Sequence, residues 1–228
     1  MSETAVVAVA KPRLPEGRIA GIVLIVTALV VILAMSHHPS GGSLSPGEGG
    51  GHVLKVGGLT GPVHGTMIAA MFALVFGYAV FAARLGFAHL LVIAAVVCYA
   101  IGAVAHIGAA LINGFVVDDL ASHYVGAVQA DLSVLKNMLR LTWAMNQALA
   151  GLGVLASSAG IVFFSLQLLQ IGPLTRLVGL AGLAAGILPA LAYATNILEL
   201  DVAGAFTIYA AQAFWTLLVG ALLVAKKI

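Results

Sequence analysis

Histidine placement carries the main chemical information in this sequence. Seven histidines occur in 228 residues, and three of them, His64, His89 and His106, lie within long apolar segments. A polar side chain in such a segment needs an inward-facing partner. Histidine is also the commonest metal ligand and the side chain whose charge changes nearest neutral pH. The placement of His64 and His106 therefore predicts a site for metal, haem or redox chemistry.

His106 lies in the segment IGAVAHIGAALING, with Tyr99 seven residues before it and Asn113 seven residues after it. Seven residues are close to two helical turns, so the three side chains share one face of a helix. We predict that Tyr99 and Asn113 belong to the same cofactor-binding face as His106. The alternative is that His106 only packs and forms hydrogen bonds between helices.

Two further patterns predict metal ligands. Met67 follows His64 by three residues, and an imidazole with a nearby thioether suits copper(I), although methionine also fills gaps between helices. Asp119 and His123 are four residues apart and would share a cation or proton on a helix, the alternative being a solvated surface pair. The candidate metal ligands are thus His64, Met67, His106, Asp119 and His123. Copper, another transition metal and haem remain open.

A haem held by two histidines needs both imidazoles at similar depth on facing helices. His64 opens its apolar segment, whereas His106 lies seven residues from the end of its own, which is about 10 Å deeper in a helix. This mismatch disfavours haem. His37, His38 and His52 lie in or beside a Gly-rich stretch, where we expect solvated loop residues.

Composition places the chain in a membrane. Hydrophobic residues make up 62% and charged residues only 8% of the sequence, and the mean hydropathy is +1.13. A soluble domain carries roughly 25% charged residues, so these charges cannot cover a soluble surface. The predicted partner is the lipid bilayer. Nucleic acid is excluded because the basic residues are scattered and form no patch.

The apolar segments predict an all-α, polytopic membrane bundle of six transmembrane helices. The segments are 19–36, 63–84, 87–113, 138–169, 174–197 and 203–225. Residues 1–18 form a cytoplasmic N-terminal tail, and 19–228 form a single six-helix domain. Both ends are predicted to be cytoplasmic because this places seven basic residues inside and three outside. The seven are Lys11, Arg13, Arg18, Arg84, Arg176, Lys226 and Lys227. The predicted location is the cell membrane, which in a bacterium is the inner membrane.

This orientation puts two long segments outside. Residues 37–62 predict a Gly-rich loop, and residues 116–136 predict an amphipathic helix on the outer membrane face. It also puts six of the seven histidines on the outer half, all except His89. A polar stripe on the last segment (Tyr209, Gln212 and Thr216) contributes to a polar pocket that opens outward.

Two classes of function remain. The first is a membrane protein with a His-containing outer site for metal, haem or redox chemistry. The second is a non-catalytic membrane subunit or accessory protein whose polar stripes hold helices together. A small dimeric carrier is disfavoured because no Asp or Glu lies within the body of a predicted helix. A GxxxG pattern at Gly182 and Gly186 fits a homodimer or a partner in a membrane complex. The sequence leaves open whether the protein is an enzyme.

Overall fold

The computed structural model describes residues 14–38, 51–123 and 129–228, with side chains for all of these except 14–15, 51–59, 129–130 and 132. All secondary-structure elements in this part of the chain are helices, and it contains no strand, which confirms the all-α prediction. The helices are α1 (Leu14–Ser36), α2 (Gly51–Leu85), α3 (Leu90–Leu111), α4 (Val117–His123), α5 (Gln129–Leu168), α6 (Pro173–Ala194) and α7 (Val202–Val224). A π-helical turn, Ile112–Val116, joins α3 to α4.

Six helical segments in the described ranges are long and apolar enough to cross a membrane, as the sequence predicts. Five of them are α1, α2, α5, α6 and α7, and the sixth runs from α3 through the π-helical turn into α4. Their sides carry many exposed apolar residues, such as Phe72, Val104 and Leu177. Such surfaces suit contact with lipid, where no water competes for the helices' backbone hydrogen bonds.

Two of the predicted boundaries differ from the structure. The segment 37–62 is not a loop throughout, because α2 begins at Gly51, and residues 39–50 of that segment lie outside the described residues. The segment 116–136 is helical at 117–123 and from 129 onward, with 124–128 outside the described residues. Its first part is not a separate surface helix, because α4 continues from α3 through the π-helical turn without an intervening loop.

Neighbouring helices pack antiparallel, and glycines mark their closest approaches. A β-carbon at Gly102 of α3 would lie 2.6 Å from the Ser157 backbone nitrogen of α5. A β-carbon at Gly21 of α1 would lie 2.6 Å from the Gly220 carbonyl oxygen of α7. Small residues let helices approach this closely, so van der Waals packing can hold them together where the hydrophobic effect is absent.

The core contains a cluster of aromatic rings. The Tyr78 ring lies 4.4 Å from that of Tyr99 and 5.8 Å from those of Phe164 and Trp215, measured between centroids. Its hydroxyl shares a 2.6 Å hydrogen bond with Thr216 Oγ1. These rings fill the centre of the bundle. The hydrogen bond to Thr216 satisfies the buried Tyr78 hydroxyl, which would otherwise be costly to remove from water.

Three helical segments are longer than a bilayer needs. About 20 residues cross a hydrocarbon core of about 30 Å, whereas α2 has 35 residues, the α3–α4 segment 34 and α5 40. The antiparallel packing places the N-terminal ends of α2 and α5 and the C-terminal end of α4 at one end of the bundle. We call this the histidine end, because it carries His38, His64 and His123, and we call the other the arginine end, after Arg84 and Arg176.

Candidate functional site

Two histidines meet at the histidine end. His38 follows the last turn of α1, and His64 lies in α2, near its contact with α1. Their Nε2 atoms are 3.2 Å apart, and their ring centroids are 4.8 Å apart with the rings edge to face. His64 is only 3% exposed, whereas His38 is half-buried. The pair is therefore packed into the protein on the His64 side and reachable on the His38 side.

The second ring nitrogen of His64 determines what its Nε2 can do. His64 Nδ1 lies 2.7 Å from the carbonyl oxygen of Thr60, four residues earlier in α2. A carbonyl only accepts hydrogen bonds, so Nδ1–H donates and, in the neutral ring, Nε2 is unprotonated and acts as an acceptor. This is the arrangement in which histidines bind metal ions, because the backbone hydrogen bond holds the ring in the required tautomer and orientation.

Asn113 is the third group at this site. It lies in the π-helical turn, and its Nδ2 is 3.3 Å from His64 Nε2. The next residue, Gly114, packs directly against the His64 side chain. π-Helical turns carry one extra residue and are frequent at functional sites, since they change the direction in which side chains point. Here the turn brings α3 and its Asn113 side chain to His64.

His106 lies in a different group of residues. It is 7% exposed, and its Nδ1 shares a 3.1 Å hydrogen bond with the Tyr209 hydroxyl of α7. Among the described residues, the other ring nitrogen, Nε2, is buried without a hydrogen-bond partner. The ring packs against Gly153 of α5, where a β-carbon would lie 2.5 Å from His106 Cε1. His106 thus connects three helices in the interior of the bundle.

Tyr99, His106 and Asn113, which the spacing predicts to share one face, do not form one site. The three residues span 14 residues of helix, which is about 21 Å along the axis. Each contacts a different residue: Tyr99 packs on Tyr78, His106 bonds Tyr209, and Asn113 bonds His64. His64 and His106 share none of these partners.

The other predicted metal ligands make contacts of their own. Met67 packs against the apolar cluster of Val31, Met35 and Ala70, between α1 and α2. Asp119 and His123 form the expected i, i+4 pair, with 3.8 Å between Asp119 Oδ1 and His123 Nδ1. Both side chains are exposed, at 73% and 68%, so water competes for this pair.

The polar stripe of α7 is used for helix packing. Tyr209 bonds His106 of α3, and Thr216 bonds Tyr78 of α2. Gln212 Nε2 donates to Ser157 Oγ at 3.3 Å and to Ser158 Oγ at 3.1 Å, both on α5. One face of α7 therefore hydrogen-bonds to three different helices.

His38 is the site residue that sequence reasoning misses. Its Gly-rich surroundings predict a solvated loop residue, but it is half-buried against His64. One signal for it does exist in the sequence. The segment containing His38 ends the first apolar helix and His64 begins the second, so antiparallel packing brings the two residues to the same end of a helical hairpin.

Within the described ranges, no three side chains from histidine, cysteine, aspartate and glutamate come together. A metal ion at His38 and His64 would therefore take further ligands from Asn113 or from water. Comparisons with protein-family models, curated proteins and solved structures found no match. The functional assignment consequently depends on the geometry of the site.

Proposed function

We propose that this chain is an integral membrane protein that binds a transition-metal ion at its histidine end, with His38 and His64 as the two nitrogen ligands. The observation that carries the proposal is that the Nε2 atoms of His38 and His64 lie 3.2 Å apart, while His64 Nδ1 is held by the Thr60 carbonyl.

The nitrogen–nitrogen distance supports a shared metal ion. Metal–imidazole bonds are about 2.0–2.1 Å long, so two nitrogens at tetrahedral positions are about 3.3 Å apart. Two nitrogens on opposite sides of one metal, as in a haem with two axial histidines, would be about 4 Å apart. The 3.2 Å between His38 and His64 fits adjacent ligands on a tetrahedral ion. It does not fit axial ligation of haem.

The depth of the site supports access from the membrane surface. Twenty residues counted from the arginine end, about 30 Å of helix, reach Thr66 on α2 and Ala109 on α3. His64 and Asn113 lie just beyond that length, which would put them at the level of the membrane boundary. An ion could therefore reach the half-buried His38 from water without crossing hydrocarbon.

We further propose that the histidine end faces away from the cytoplasm. Among the described residues, five acidic side chains lie at this end, all exposed: Asp118, Asp119, Asp131, Glu199 and Asp201. Arg84, Arg176, Lys226 and Lys227 lie at the arginine end. Basic residues near membrane spans favour the cytoplasmic side, which supports both chain ends being cytoplasmic.

Zinc binding to the purified, chelator-stripped full-length chain in detergent tests the metal proposal. By isothermal titration calorimetry we expect one Zn²⁺ per chain, and loss of that binding in His38→Ala and in His64→Ala. His89→Ala is the matched control, because His89 is exposed at the arginine end. Undiminished binding in both His38→Ala and His64→Ala would overturn the proposal.

Cysteine labelling tests the orientation. Cys98 is the chain's one cysteine, so Ser122→Cys and Lys227→Cys, each with Cys98→Ser, provide single probes at opposite ends. Both positions are exposed. In intact cells we expect a membrane-impermeant maleimide to label residue 122 and to leave residue 227 unlabelled until the cells are lysed. The reverse pattern would place the histidine end in the cytoplasm.

A non-catalytic membrane subunit is the second candidate. Its support is the hydrogen bonding of α7 described above, in which Tyr209, Gln212 and Thr216 all bond other helices of the same chain. A subunit with this purely structural use of polar groups would bind no metal ion in the calorimetric experiment.

A further inference from the structure

Asn113 is the third polar side chain at the site of the two histidines. Its amide nitrogen is 3.3 Å from His64 Nε2, close to the 3.2 Å that separates the two imidazole nitrogens. Asn113 Nδ2 and His38 Nε2 thus both lie within hydrogen-bonding distance of His64 Nε2. One of these atoms comes from just beyond the end of α1 and the other from the π-helical turn, and both approach the same nitrogen of α2.

The amide can present either of two atoms at this site. A 180° rotation of an asparagine amide exchanges its nitrogen for its oxygen at nearly the same position. Without a metal ion, the nitrogen donates to the His64 lone pair. When a metal ion takes that lone pair, the rotated amide presents its carbonyl oxygen, which is a metal ligand.

The backbone around Asn113 is built for this approach. The residue lies in the π-helical turn Ile112–Val116, and the adjacent Gly114 is buried against His64. A β-carbon at Gly114 would overlap the His64 side chain, so only glycine allows α3 to come this close to α2. An asparagine that merely faced water would not require such a contact.

We propose that Asn113 is the third protein ligand of the site and that two nitrogens and one oxygen make it selective for a divalent ion such as Zn²⁺ over copper(I). This inference rests on the metal-binding function proposed above. Copper(I) prefers soft sulfur ligands, and the nearby Met67 packs instead into the apolar cluster with Val31 and Met35. Zinc accepts nitrogen and oxygen ligands in a tetrahedral site with a water molecule in the fourth position.

The test is a series of substitutions at residue 113 in the full-length, chelator-stripped protein, titrated separately with Zn²⁺ and with copper(I). We expect Asn113→Ala to weaken Zn²⁺ binding by about tenfold or more and to leave copper(I) binding unchanged. Asn113→Asp has nearly the same shape and adds a negative charge, so we expect it to strengthen Zn²⁺ binding by about tenfold. Asn137→Ala is the matched control, since Asn137 is exposed on α5.

The outcomes separate this inference from the proposed function. Loss of Zn²⁺ binding in His64→Ala together with wild-type affinity in both Asn113 variants would overturn the role of Asn113 and leave the two-histidine site standing. Wild-type Zn²⁺ binding in His38→Ala and in His64→Ala would overturn the proposed function itself. Equal affinity of the wild type for copper(I) and Zn²⁺ would overturn the selectivity. If Asn113→Ala does not fold, the isosteric Asn113→Asp decides the matter.

Discussion

Gly114 packs directly against the ring of His64, so that a β-carbon on residue 114 would lie 2.7 Å from His64 Cγ. The contact joins α2 to the π-helical turn at the point where His38, His64 and Asn113 meet. The His64 ring cannot shift without losing its hydrogen bond to Thr60. Its position therefore requires a residue without a side chain at position 114.

We therefore expect Gly114→Ala to lower the affinity for Zn²⁺ by about tenfold or more, because the new methyl group pushes the His64 ring away from His38. The measurement is calorimetric titration of the purified variant. Gly65→Ala is the control, because a β-carbon there would meet nothing closer than Phe115 Cζ at 3.8 Å among the described residues. Equal affinities in the two variants would contradict this packing argument.

Zinc binding should weaken as the pH falls. An imidazole binds a metal ion only in its neutral form, so protons compete with Zn²⁺ for His38 and His64, and affinity is highest above the range in which histidine titrates. Between about pH 8 and about pH 5 we expect the affinity to fall by about a hundredfold or more. Titrations at several pH values measure this dependence, and an affinity that does not change with pH would exclude histidine ligands.

His106 should prove independent of the metal site. Its ring bonds Tyr209 and packs on Gly153, two helical turns along α3 from Asn113. We expect His106→Gln to leave the Zn²⁺ affinity within about twofold of the wild type, a difference of well under 1 kcal/mol. A loss of binding comparable to that in His64→Ala would instead place both histidines in one site.

The His106–Tyr209 hydrogen bond should stabilise the bundle. In a double-mutant cycle of His106→Leu and Tyr209→Phe we expect a coupling energy of about 1 kcal/mol, as for other hydrogen bonds between transmembrane helices. Reversible unfolding of the four proteins in mixed micelles measures it. A coupling energy indistinguishable from zero would mean that the 3.1 Å contact contributes nothing.

Helix α3 offers a matched pair of glycines for testing its packing against α5. A β-carbon at Gly102 would lie 2.6 Å from a backbone nitrogen, whereas one at Gly108 would lie 3.1 Å from the flexible end of Leu149. We expect Gly102→Ala to reduce the free energy of unfolding by about 1–3 kcal/mol, because backbone cannot move aside. The same unfolding assay should show Gly108→Ala within about 1 kcal/mol of the wild type. A larger loss at Gly108 than at Gly102 would contradict the close approach of α3 to α5 at Gly102.

The number of long apolar helices could be predicted from the sequence. The helical rise per residue is constant, so the thickness of the hydrocarbon core determines how many consecutive apolar residues a spanning helix needs. Asp119 and His123 also form the i, i+4 pair that their spacing predicts. These features are local, and each depends only on residues within one helix. The start of α2 at Gly51 could not be predicted in this way, since a Gly-rich stretch has low helix propensity and resembles a loop.

Only the tertiary structure decided which polar groups meet. Side chains on different helices come together according to helix packing and relative depth, which no spacing within one segment encodes. His64 thus meets His38 and Asn113, while His106 meets Tyr209, although all of these are polar residues in apolar surroundings. The sequence by itself determined that the chain has six long apolar segments and that the second and third of them contain histidines. The π-helical turn and the close contact at Gly114 decided that His64, and not His106, lies beside Asn113.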